Sequence, residues 1–211
     1  RRMGVGLDFH YMNKIYGGIE VSQRQIVVPT LIQESNLRRE HLQFQNEHLF
    51  RAYLYWLPNT FWAVRSEPRF EKFKRHVNDE RLVLAFNGDT EPIHIQNLSL
   101  PLSIEYFLPT GFFSSLTTTF IAQDLTRRKD VLETTQKRTP RETNSGIDSF
   151  FLLDATIGYR FPNRRGVMSL EGRNLLDEHF YYRNIGFYQS EAISPRFVPE
   201  RTIFTKVTLN F

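Results

Sequence analysis

The residues able to do chemistry here gather in two late stretches of the chain and at charged positions on its alternating segments. After Asp177 come Phe180, Tyr181, Tyr182, Arg183, Phe187, Tyr188 and Arg196, all in one polar and aromatic stretch. Rings of this kind stack on a ligand, and phenol and guanidinium tips hydrogen-bond it. Tyr181, Tyr182, Arg183, Tyr188 and Arg196 are therefore the candidate ligand-binding residues; the plainer alternative is that the same rings pack as an aromatic girdle. Upstream, Arg127, Arg128, Lys129, Lys137, Arg138 and Arg141 stand against only Asp130 and Glu133, a local excess of about four positive charges. Such a loop suits an anionic ligand or lipopolysaccharide, and a simple solvated loop has the same composition.

Other chemistries find no support in the spacing. The histidines His10, His41, His48, His76, His94 and His179 show neither the two-His helical spacing nor a carboxylate partner that a metal site needs. No metal and no cofactor are expected. No nucleophile elbow, phosphate loop or dinucleotide fingerprint is present, so no catalytic residue is assigned. Cysteine is absent, which excludes a disulfide scaffold and thiolate chemistry. The net charge of +4 is spread over many segments, which argues against a nucleic-acid partner.

The elements that must position these residues are strands. In Phe150–Phe161 one set, Phe151, Leu153, Ala155, Ile157, Tyr159 and Phe161, is apolar, while the other holds Asp154, Thr156, Gly158 and Arg160. That is period two, a strand with one apolar and one polar face. Met3 to Tyr11 repeats the pattern against Gly4, Gly6, Asp8 and His10. Further strands are expected over about Tyr16–Val28, Glu40–Leu57, Phe61–Arg75, Ile93–Leu108, Phe112–Asp124, Val167–Asn174 and Arg201–Phe211. Within Ile93–Leu108, Pro101 removes a ladder donor and belongs at an irregular point. The total is about nine strands.

Connections alternate in length. Those at 13–15, 58–60, 109–111 and 162–166 are short; those at 29–39, 76–91, 125–149 and 176–199 are long. Short periplasmic turns and long outer loops are what a membrane meander requires. The chain has 19 Phe, 9 Tyr and 2 Trp with a negative mean hydropathy, and no apolar run of about 20 residues that would make a membrane helix. Tyr55, Trp56, Phe61, Trp62, Tyr106, Phe107, Phe112, Phe113, Tyr159, Phe161 and Phe211 lie beside the short turns or at the terminus, which is expected to place them in one periplasmic aromatic ring. The expected class is all-β: an antiparallel up-and-down transmembrane β-barrel. An odd strand number implies that 1–211 is the C-terminal part of one barrel domain whose other strands precede Arg1.

The run Asn174-Leu175-Leu176-Asp177, then Pro199-Glu200-Arg201, an alternating strand and Phe211 resemble the end of the barrel of TonB-dependent outer-membrane receptors. Leu176 stands where that family often has an aromatic residue, and Glu200 where it often has glycine. The resemblance implies a Gram-negative outer-membrane receptor that imports a siderophore, cobalamin or glycan, is not an enzyme, and has as partners TonB, outer-membrane lipid and lipopolysaccharide. A plug and a TonB box lie outside this sequence. It also implies that Phe211, closing the terminal strand, is a signal read by the barrel-assembly machinery. A passive porin or export barrel, or a barrel enzyme with loop-borne residues, are the alternatives.

Overall fold

The computed structural model describes residues 1–34, 37–76, 92–127, 146–180 and 200–210. They form strands β1 (Arg2–Tyr11), β2 (Ile15–Glu34), β3 (Leu37–Trp56), β4 (Trp62–Ser66), β5 (Arg69–His76), β6 (Pro92–Phe107), β7 (Phe112–Arg127), β8 (Gly146–Arg160), β9 (Gly166–Arg173) and β10 (Thr202–Leu209). The chain is all-β. Its single sheet follows the order β1-β2-β3-β4-β6-β7-β8-β9-β10, with β5 pairing β3 and β6, and every pairing is antiparallel. Strands β4 and β5 keep one register on both neighbours, with Ser66 opposite Leu102 and Arg69 opposite Ser99. They are one traverse interrupted at Glu67-Pro68, so ten strands make the nine expected passages.

Prolines explain the interruption. Pro101 stays in register with Thr119 of β7, so the irregularity expected at Pro101 appears in its other neighbour, where the gap between β4 and β5 lies. The Ser66 hydroxyl donates to the Pro101 carbonyl at 2.7 Å, and Ala52 N–H donates to the Pro68 carbonyl at 2.9 Å. A carbonyl directed at the gap means that the missing Pro101 N–H is also directed there, where no ladder partner waits.

Alternation sorts side chains cleanly. One row across the sheet reads Tyr11, Ile15, Trp56, Val64, Ile104, Leu116, Ala155, Gly172 and Ile203. The adjacent row on the other face carries Tyr55, Arg65, Ser103, Thr117 and Asp154. Exposure inverts the usual soluble pattern: Val5 is 73%, Leu7 65% and Ile203 65% exposed, while Asn97 and Ser103 on the polar face are 3% exposed. Leu153, Ile157, Leu170, Val207 and Leu209 share the apolar face; Asp154, Arg160, Glu171 and Lys206 share the polar one.

Three expectations need correction. Residues 29–34 and 37–39 are paired strand, Pro29 opposite Leu42 and Ile32 opposite Arg39, not the body of a long loop. Gln25 N–H bonds the Arg1 carbonyl, so by alternation Pro29 directs its donor-less nitrogen past the end of β1 and leaves the β3 ladder intact. The sequence signal fails here because apolar alternation lapses while backbone pairing continues. The aromatic residues also divide by face rather than forming one ring: Trp62 packs on Tyr106 with ring centroids 4.6 Å apart on the apolar face, whereas Phe107 and Phe113 share the polar face with Arg160, whose guanidinium lies 5.4 Å from each ring. Finally, the last strand ends at Leu209; Phe211, the proposed assembly signal, lies outside the described residues.

The short connections carry the expected turn chemistry. Met12 and Asn13 hold φ of 50° and 52°, and the Asn59 carboxamide oxygen accepts from Phe61 N–H at 2.8 Å and Trp62 N–H at 3.1 Å, an Asx turn. Gly111 has φ of 101°, and a Cβ there would collide with the Arg160 carbonyl. Gly111→Ala is therefore expected to cost about 1–3 kcal/mol, read as a lowered denaturant midpoint of the full-length protein. Gly6→Ala, where a Cβ would meet only the Ile19 carbonyl at 3.5 Å, serves as the control and should change the midpoint little.

Candidate functional site

On the polar face, hydrogen-bonding and charged side chains converge across many of the described strands. Alternation supplies every second residue of each strand, and antiparallel pairing sets them side by side. Near the short turns, Tyr53 donates to Asp8 at 2.6 Å, its ring centroid lies 5.8 Å from that of Tyr55, and the Tyr55 hydroxyl donates to Glu67. Arg51 approaches Glu67 at 3.9 Å and Arg65 approaches Glu105 at 3.3 Å. Further along, Arg24 pairs with Glu47 at 2.8 Å, Arg69 with Glu71, and Gln123 donates to Asn97 at 2.6 Å. Beside the first strands an open groove of about 560 Å³ is lined by Gly4, Gly6, Asp8, Glu20, Arg51 and Tyr53 among others.

The same face turns apolar toward the long connections. Phe73, Ile95 and Leu125 occupy one row and form a buried cluster, with the Arg75 guanidinium 5.7 Å from the Phe73 ring. Phe180 stacks on Phe150 at 4.0 Å between ring centroids. Phe180 is the aromatic residue of the stretch after Asp177 that lies among the described residues. The stacking favours, for Phe180, the packing role over a free ligand contact.

The motif Asn174-Leu175-Leu176-Asp177 folds as a clamp joining three strands. Asn174 (φ 48°) and Asp177 (φ 56°) both take the left-handed region, which Asn and Asp tolerate better than other side chains. Asn174 N–H donates to Asp154 on β8 at 2.8 Å, its carboxamide donates to the Glu178 carbonyl at 2.9 Å, and it accepts from Glu178 N–H at 3.0 Å. Leu175 N–H bonds the Leu153 carbonyl at 2.8 Å. Asp177 then accepts from Arg201 N–H at 3.2 Å and pairs with the Arg201 guanidinium at 3.4 Å. Asp177 and Arg201, 24 residues apart in the chain, are thereby in contact.

Other polar-face charges have local roles. Glu171 accepts from Ser169 at 3.3 Å and lies 3.7 Å from Arg173, both on its own strand, and Arg173 also covers the Phe204 ring at 5.0 Å. Arg160 is held by the two aromatic rings already described. The candidate ligand-binding residues Tyr181, Tyr182, Arg183, Tyr188 and Arg196, and the basic segment 128–141, lie outside the described residues. Among the described residues no three metal-ligating side chains cluster.

Against family models, curated proteins and solved structures alike, the chain finds no match.

The clamp generates a graded expectation. Asn174 is 4% exposed, and Asn174→Ala leaves the Glu178 amide and carbonyl without their partner, an expected cost of about 1–3 kcal/mol. Asp177→Ala removes an exposed pair and should cost about 1 kcal/mol or less. Limited proteolysis of the full-length protein, read as the cleavage rate between 174 and 202, should rank Asn174→Ala well above Asp177→Ala; a reversed ranking would refute the clamp.

Proposed function

We propose that this chain is the C-terminal part of an outer-membrane β-barrel of the TonB-dependent receptor kind. In this reading a siderophore, cobalamin or glycan is bound at the outer face and imported with energy supplied through TonB. One observation carries the membrane assignment: one face of the sheet carries an exposed apolar band across all nine traverses, and the buried polar groups lie on the opposite face. A soluble sheet with this arrangement would leave an apolar surface far larger than the few hundred Å² that monomers tolerate. In hydrocarbon the same face is matched to its solvent, and the ladder already pairs the backbone groups that each cost several kcal/mol, by rough estimate, when bare.

Closure into a barrel would remove the two free edges at β1 and β10, and the polar face would then line the lumen. The receptor assignment is supported by the meeting of Asn174 and Asp177 with Asp154 and Arg201, since the two stretches that carry the family resemblance form one contact. Tyr181, Tyr182, Arg183, Tyr188 and Arg196 remain the proposed ligand contacts, with lipopolysaccharide and lipid around the barrel and the assembly machinery acting on Phe211.

The proposal is tested by single cysteines in the full-length protein, fluorescently labelled and reconstituted in vesicles containing brominated lipid. Labels at Leu153 and Ile157 should be quenched strongly and those at Asp154 and Thr156 weakly; equal quenching overturns the membrane assignment. Energetically, Ile157→Arg should cost about 2–4 kcal/mol if the position lies near the midplane. Thr156→Arg, directly opposite Glu171, should cost far less. Urea unfolding of the full-length variants in vesicles compares the two.

A further inference from the structure

The apolar face has an upper boundary with a charge pattern of its own. The cross-strand row Val21, Phe50, Phe70, Leu98 and Ala122 is apolar. The next row on that face, two residues further along each strand, reads Gln23, His48, Lys72, Gln96 and Asp124, and the one after it Asn46, Lys74, His94 and Thr126. Lys72, Lys74, His48 and His94 thus fall within two adjacent rows on three neighbouring traverses, a patch roughly 7 Å by 10 Å from strand and row spacings. His94 contacts Gln96 at 2.8 Å between ring and amide nitrogens.

Two further observations distinguish this patch from an ordinary solvated surface. The first is pairing: Arg24, Arg51, Arg65 and Arg69 on the polar face all meet a carboxylate, whereas among the described residues neither Lys72 nor Lys74 does. Asp124, the acid of the row, stands two strands from Lys72. The second is height. Gln96, in the Lys72 row, and Tyr106, packed on Trp62, lie about ten residues apart along β6, which at about 3.3 Å per residue and a tilt near 40° is about 25 Å. That matches the apolar band of an outer-membrane barrel. The patch therefore sits at headgroup level, and the exposed Val27 and Phe44 just above it on β2 and β3 suit that interfacial zone.

We propose that Lys72 and Lys74, flanked by His48 and His94, form a binding site on the outer surface of the barrel for the phosphates of lipid A. The proposal rests on the outer-membrane reading. Its chemistry is that of a phosphate between two ammonium groups whose aliphatic stems lie along apolar surface with their heads at the interface. In the outer leaflet a phosphate is the anion presented at that depth, and uncompensated lysines there are stabilised by it.

The test uses the full-length protein and its Lys72→Gln/Lys74→Gln variant, reconstituted in phosphatidylcholine vesicles containing lipid A, dephosphorylated lipid A or phosphatidylglycerol. Lipid retained after detergent extraction is measured by mass spectrometry. The wild type should retain lipid A, the variant about 30-fold less, and neither should retain the dephosphorylated form well. Equal lipid A retention by the two proteins overturns the site. Phosphatidylglycerol held as tightly as lipid A overturns the lipid A assignment. Quenching of Trp62 by brominated lipid in the same vesicles separates the two levels: quenching with unchanged lipid A retention sinks the site alone, and no quenching sinks both.

Discussion

A contiguous apolar face that no other part of the described chain covers is the constraint on which the rest of this structure depends. In water such a face would drive association, because each exposed large aliphatic or aromatic side chain forgoes roughly 1.5–3 kcal/mol of burial. That cost adds up over rows that run from Tyr11 to Ile203. An apolar solvent removes it and imposes the complementary demand that backbone polar groups be paired within the sheet. The long uninterrupted ladders of β2 with β3 and of β6 with β7 meet that demand.

Local departures from regular strand are placed where they leave this arrangement intact. Pro29 and Pro101 direct their missing donors away from the ladders they would damage, and Ser66 supplies a side-chain hydrogen bond to the Pro101 carbonyl at the gap. Turns use Asn59, Asn163 and Gly111 at positions where an Asx bond or a left-handed φ is required. Several charged groups on the polar face are paired along or across strands, so that surface is not a bare field of one sign. Lys72 and Lys74 of β5, which meet no carboxylate among the described residues, lie on the opposite face, at its polar edge, where solvent changes from hydrocarbon to headgroup in the proposed setting.

The clamp at Asn174–Asp177 shows how a short motif can be structural at root. Its residues hold the end of β9, the strand β8 and the start of β10 in one place, which fixes where the stretch bearing Tyr181, Tyr182, Arg183, Tyr188 and Arg196 leaves the sheet and where the chain returns. Ligand recognition, if it resides in that stretch, is thereby tied to a rigid base. The stacking of Phe180 on Phe150 adds a second anchor next to the same base.

Sequence alone determined the all-β class, the nine traverses and the two faces of the clearly alternating strands, because a period of two is a local property that each segment carries by itself. Phe151 to Phe161 and Met3 to Tyr11 needed no neighbour to declare their phase. It also located the short turns, since Asn59, Gly111 and Asn163 answer to local backbone geometry. What only the tertiary structure decided are features that depend on two strands at once. The continuation of β2 and β3 through 29–34 and 37–39 rests on backbone pairing that has no side-chain pattern. The contact of Asp177 with Arg201 spans a long stretch of intervening chain, and the cationic patch unites β3, β5 and β6. Residues distant in sequence become neighbours only when hydrogen-bond registers are set, and a register is a relation between strands that no single strand encodes.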